Sequence, residues 1–169
     1  MNTKQLSNIL YFVLLFLVQT IVFNSVEIEG FVRFFPYLAY VFLVPITKDR
    51  TYFLISSFLL GLSIDVASSS GGVNAMSILL VAYLRIHLLK FIMGSNELDY
   101  QNFHLRQIPF DKSIIYMLTL CLIHSISIYS LSYFSFNFIG LIIGKGLASG
   151  FATFILLLLG LFIFTKPRT

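Results

Sequence analysis

Residues 53–84 read FLISSFLLGLSIDVASSSGGVNAMSILLVAYL. Two apolar runs are joined by a small polar turn, and a single carboxylate, Asp65, stands near the end of the first run. Each run has about the 20 residues that a helix needs to cross a ~30 Å hydrocarbon layer. The turn between them, Ser68 to Asn74, is built from serines, two glycines and an asparagine, which satisfy or bend their own backbone. The stretch therefore predicts a pair of antiparallel membrane helices.

The rest of the chain follows the same pattern. It has 169 residues, of which 58% are hydrophobic and only 11% charged, and its mean hydropathy is +0.93. A soluble domain of this size needs far more charge to cover its surface. Apolar runs over 6–23, 34–47, 51–68, 73–93, 113–134 and 138–165 predict one all-α polytopic membrane domain with six transmembrane helices. Strands of a barrel do not fit, because the runs are long and uniformly apolar rather than alternating. The first run is bulky and ends without a small-residue cleavage site, so it reads as an uncleaved span rather than a signal peptide. The second is the shortest. About 14 residues between Arg33 and Lys48 give about 21 Å of helix, and Pro36 and Pro45 sit near its ends. A re-entrant segment is the alternative there.

Basic residues orient the bundle. Six spans place Lys4, Lys48, Arg50, Arg85, Lys90, Arg106, Lys112, Lys166 and Arg168 on one side and only Arg33 and Lys145 on the other. That asymmetry predicts a multi-pass membrane protein with both termini in the cytoplasm. The sizeable polar connection, residues 94–112, carries mixed charge and falls on the cytoplasmic side, as a solvated linker or a docking site. The segment VEIEGFVR, residues 26–33, forms the main outward loop. No basic stripe with interleaved aromatics suggests a nucleic-acid partner.

Asp65 is the leading candidate for a specific role. An ionised carboxylate two-thirds across a bilayer costs roughly 2.5–3.5 kcal/mol on the insertion scale, so it must meet a partner. Lys145 and Arg33 have the correct sign. Alternatively Asp65 is protonated, or it caps backbone amides of the turn. The readings open at this stage are a capped hairpin, an interaction or packing role, and proton or ion transport. Asn74 is placed to act as N-cap of the fourth span. In GLIIGKGLASGFA, residues 140–152, Gly140 and Gly144 are four apart, as are Gly146 and Gly150, a spacing that lets helix backbones approach within the chain or between copies.

Other chemistry is weakly signalled. His124 lies among hydroxyl residues of the fifth span and reads as a hydrogen-bonded packing residue. His87 and His104 have no metal-site spacing. The one cysteine, Cys121, forms no intrachain disulfide. A serine-type intramembrane protease would need a framed nucleophile, base and oxyanion hole, and H-E-x-x-H is missing. The chain reads as a non-enzyme that needs no cofactor or metal.

The run FFPYLAYVFLVPITKDRTYFLISSFLLGLSIDVASSSGGVNAMSILLVAYLR, residues 34–85, resembles the rod shape-determining protein MreD family. The elements that carry the resemblance are Pro36 and Pro45 in the second span, the basic turn of Lys48 and Arg50, Gly61 with Asp65, the glycines Gly71 and Gly72, and Tyr83 with Leu84. About a third of the chain is covered. The resemblance implies a fold similar to the six-helix substrate-binding subunits of vitamin transporters. It implies a scaffold role in the bacterial inner membrane, within the cell-wall elongation machinery, with an MreC-like membrane-anchored periplasmic partner and the wall polymerase and transpeptidase. The partner-binding or structural candidates are then Asp65, Gly61, Gly71, Gly72, Asn74, Gly140, Gly144 and Lys145, with homo-oligomers through the glycine stripe as a further expectation. The alternative is a vitamin-transporter binding subunit, although the first span has no alanine or glycine of the kind that couples such subunits to their energising module.

Overall fold

A computed structural model describes the backbone of residues 3–46, 50–94 and 109–164, and the side chains of these residues except 3–5 and 161–164. Most of the expected connection over 94–112, with His104 and Arg106, lies outside the described residues, as do Lys48, Lys166 and Arg168.

The chain is helical, and five helices among the described residues are long and apolar enough to cross a membrane. Helix α1 (Thr3–Leu17) continues as a π-helical stretch to Phe23. A two-stranded hairpin follows, β1 (Glu27–Ile28) and β2 (Val32–Arg33). A 3₁₀ turn (Pro36–Leu38) leads into the short α2 (Ala39–Leu43). Then come α3 (Thr51–Ser68), α4 (Val73–Met93), α5 (Phe110–Tyr133), a 3₁₀ turn (Phe136–Phe138) and α6 (Ile139–Phe164). The sequence expectations 51–68 and 73–93 coincide with α3 and α4. The long helices are apolar on every side, the pattern of helices flanked by lipid and protein together rather than by water. Large side chains such as Ile21, Val66 and Phe91 point outward, each at least 74% exposed.

Sequential helices pack side by side: α3 on α4, α4 on α5, α5 on α6. Close approach in the last pair depends on Gly146 and Gly150. Side-chain carbons at those positions would lie 3.1 Å from the Cα of Ile126 and 3.2 Å from the Cα of Leu122, tighter than most contacts allow.

The second expected span is where helix gives way. Residues 34–46 do not form one membrane helix. Pro36 opens a single 3₁₀ turn, α2 has five residues, and the residue before Pro45, Val44, is extended (φ −72°, ψ 126°). Proline disfavours helical backbone in its predecessor, which ends the helix here. The segment is nevertheless the centre of the protein. Tyr37, Leu38 and Val41 are fully buried, and it touches α1, α4 and α6. Non-helical backbone at such a place needs partners for its polar groups. They come from side chains: the Phe35 amide donates to Thr153 Oγ1 (3.2 Å), Gln19 Nε2 donates to the Phe34 carbonyl (3.4 Å), and Arg85 donates to the Val44 carbonyl (2.6 Å). Tyr37 bonds Asn74 near the start of α4, and Val44 meets Arg85 later in the same helix. The eleven-residue offset between these two contacts means the segment runs beside α4 for about 16 Å.

The expected outward loop is the β-hairpin. Glu29 (φ 51°) and Gly30 (φ 67°) both take left-handed backbone, the signature of a tight I′ turn, and the Phe31 amide bonds the Ile28 carbonyl at 2.9 Å. Arg33 and Glu27 pair across the strands at 3.2 Å. The hairpin is fastened to α6, where Ser149 Oγ accepts from the Arg33 amide (3.0 Å) and Lys145 Nζ donates to the Gly30 carbonyl (2.8 Å).

Candidate functional site

Asp65 sits one turn from the end of α3 and is 4% exposed. Its Oδ1 accepts from the Asn74 amide (3.0 Å), Asn74 Nδ2 (3.0 Å) and the Ser70 hydroxyl. Its Oδ2 accepts from the Ala75 amide at 2.8 Å. In each of these bonds the partner donates and a carboxyl oxygen accepts. The expected partners Lys145 and Arg33 are elsewhere: Lys145 holds the hairpin, and Arg33 pairs with Glu27.

The geometry explains the choice. The first amides of a helix have no partner within it, and a side-chain oxygen normally caps them from the residue just before the helix. That residue is Gly72, which has no side chain and takes left-handed backbone (φ 92°). Asn74, expected as the cap, lies one residue inside α4 and its own amide needs capping. The carboxylate of the preceding helix supplies the cap instead. It can reach because α3 and α4 touch backbone to backbone at Gly61 and Ala75, one turn of α3 before Asp65. Ser69 closes α3 in left-handed conformation, and its neighbour Ser70 returns its amide to the Asp65 carbonyl (3.1 Å).

From Asp65 a buried polar chain runs inward. Asn74 Nδ2 faces Asp65 and Ser70, so its Oδ1 faces Tyr37 and accepts the phenol proton at 2.9 Å. The Tyr37 oxygen is then the acceptor for His124 Nε2, also at 2.9 Å. This network assigns the imidazole proton to Nε2 and makes Nδ1 an acceptor without a partner among the described residues. Phe35 and Tyr37 each stand roughly perpendicular to the His124 ring, at 5.2 and 5.3 Å between centroids. One chain of contacts thus joins α3, α4, the central segment and α5.

The sequence candidates divide into two groups. Asp65, Gly61 and Asn74 meet at one place, with Gly71 (φ 68°) and Gly72 forming the adjoining turn. Gly140, Gly144 and Lys145 lie on α6 by the hairpin. There Phe31 covers Gly144 at 3.3 Å from a built side-chain carbon, while Gly140 has nothing within 4 Å. Lys145 also lies over the rings of Phe31 and Tyr133, at 5.9 and 6.0 Å. Sequence reasoning missed Tyr37, Ser149 and Thr153, whose only signal was a hydroxyl inside an apolar run. Arg85, counted with the charges of the cytoplasmic side, is 1% exposed within α4. Among the described residues no group of three or more His, Cys, Asp or Glu is placed to hold a metal ion.

Compared with protein-family models, curated proteins and solved structures, the chain matches none. The function of the site must therefore be read from its own geometry. That geometry ties elements together: Asp65, Ser149, Thr153, Gln19, Arg85 and Lys145 each bond the backbone of another element or turn, and Tyr37 joins the side chains of Asn74 and His124.

Proposed function

We propose that the protein is a non-enzymatic scaffold of the bacterial inner membrane, of the MreD type, which holds an MreC-like membrane-anchored partner and wall-synthesis enzymes together during cell elongation. The observation that carries this reading is the use made of Asp65. An acid inside a membrane helix is by default a transport or proton-relay candidate. Here its oxygens are occupied by Ser70, Asn74 and Ala75, and the hairpin end is rigid as a result. A rigid end with an exposed turn at Ser69 and Gly71 suits a surface that seats another protein's anchor helix.

In this reading the buried segment 34–46 is the sixth crossing, α1 and α6 bring both termini to the cytoplasmic side, and the hairpin faces the periplasm. The excess of Lys and Arg on the side of the termini supports that orientation. Pull-down of the tagged full chain from bacterial membranes, followed by mass spectrometry, tests the proposal. Recovery of a membrane-anchored periplasmic protein with a wall polymerase and transpeptidase is expected. Recovery of an ATP-driven energising module would favour a vitamin-transporter subunit instead.

A further inference from the structure

Far along α4 from the Asp65 hairpin, a cation is enclosed that meets no counter-charge among the described residues. The Arg85 guanidinium donates from Nη2 to the Val44 carbonyl at 2.6 Å and lies 4.8 Å from the centroid of the Phe53 ring. The Tyr116 phenol stands beside the guanidinium. Among the described residues Arg85 Nε has no well-formed hydrogen bond, and no carboxylate pairs with it. A carbonyl and an aromatic face offset part of the cost of burying a charge, but an ion without a counter-ion remains unfavourable.

Arg85 lines a small crevice together with Pro45, Arg50 and Phe53. Its volume, about 10 Å³, is the space of roughly one water-sized group. Arg50 is also the residue that precedes α3, and it makes no side-chain capping bond to that helix. The positive end of an 18-residue helix dipole therefore lies against the same crevice as two guanidinium-bearing residues. One of these is buried and incompletely bonded, which a helix end alone would not provide.

We propose that this crevice binds a phosphate oxyanion, with one oxygen entering between Arg85 and Arg50 and the remainder of the group outside. A guanidinium matches a phosphate in geometry and charge. At the end of a membrane helix the natural carrier of that group is the headgroup of an anionic phospholipid, and free phosphate presents the same chemistry. The site does not depend on the scaffold reading.

Native mass spectrometry of the full chain in detergent tests it. Phosphatidylglycerol, phosphatidylcholine and inorganic phosphate serve as probes. Wild-type protein is expected to retain phosphatidylglycerol over phosphatidylcholine by about tenfold, a difference of about 1.4 kcal/mol. Arg50→Gln and Arg85→Gln are expected to abolish that preference. Arg50→Gln leaves the bond between Arg85 and Val44 in place, so it keeps the test valid if Arg85→Gln fails to fold. Competition by millimolar inorganic phosphate would identify free phosphate as an occupant, and its failure to compete would assign the site to the lipid. Equal retention of the two lipids by wild-type protein would overturn the proposal. So would an equal loss in Lys112→Gln, a charge removed from the start of α5, because the attraction would then be diffuse.

Discussion

Gly61 and Ala75 bring the backbones of α3 and α4 into direct contact: a side-chain carbon placed on Gly61 would lie 2.5 Å from the Cα of Ala75 and 2.8 Å from its nitrogen. The obstacle is backbone, which cannot rotate away. Gly61→Ala must therefore separate the helices and lengthen the reach of Asp65 to its amides. It is expected to destabilise the protein by about 3 kcal/mol or more. Gly140→Ala, with open space around it, should stay within about 0.5 kcal/mol of wild type. Unfolding of both variants by denaturing detergent measures the contrast.

Removal of the carboxylate should be costly for a related reason. Asp65→Ala leaves the amides of Asn74 and Ala75 buried without their acceptor, and a loss of about 2–4 kcal/mol is expected. Asp65→Asn retains one acceptor oxygen but turns an NH₂ group toward a donor. It should fall between Asp65→Ala and wild type in the same unfolding assay. Equal stability of all three proteins would show that the cap contributes nothing.

How much of this was legible in the sequence differs from element to element. Helices α3 and α4 were readable to the residue, because a long apolar run closed by a turn of Ser, Gly and Asn has few other solutions. The central segment was not. Its two prolines were visible, but burial depends on Thr153, Gln19 and Arg85, which are distant in sequence and become its hydrogen-bond partners only after folding. Asp65 announced that it needed partners, and capping was one of the readings. That the cap belongs to the next helix was hidden, since capping rules are local and this bond spans nine residues. Arg85 looked like a charge near the cytoplasmic end of the fourth span, because its aromatic and carbonyl contacts leave no mark on hydropathy.

The polar chain through Tyr37 predicts energetic coupling between residues on three elements. Tyr37→Phe removes the proton bound by Asn74 Oδ1 and the acceptor of His124 Nε2. A cost of about 1–3 kcal/mol is expected. A double-mutant cycle of Tyr37→Phe with Asn74→Ala should yield a coupling energy of at least about 0.5 kcal/mol. Additive losses would mean that the two side chains do not act as one network.

Lys145 should matter locally rather than globally. The side chain is half-buried, and its bond to the Gly30 carbonyl lies at the surface, so Lys145→Gln is expected to change global stability by less than about 1 kcal/mol. Amide hydrogen exchange at Phe31 should nonetheless quicken, because the tie between the hairpin and α6 is weakened. Unchanged exchange at Phe31 would assign the hairpin's order to the Ser149 contact alone.

In the proposed arrangement residues 34–46 carry the chain from one face of the membrane to the other, although less than half of a normal membrane helix is present there. Labelling of Glu29→Cys and Arg50→Cys with a membrane-impermeant maleimide in intact cells tests this most directly, since the native Cys121 is buried. Modification of the cysteine at 29 from outside, and of the cysteine at 50 only after permeabilisation, is the predicted result. Modification of both from the same face would make the segment re-entrant and contradict the account.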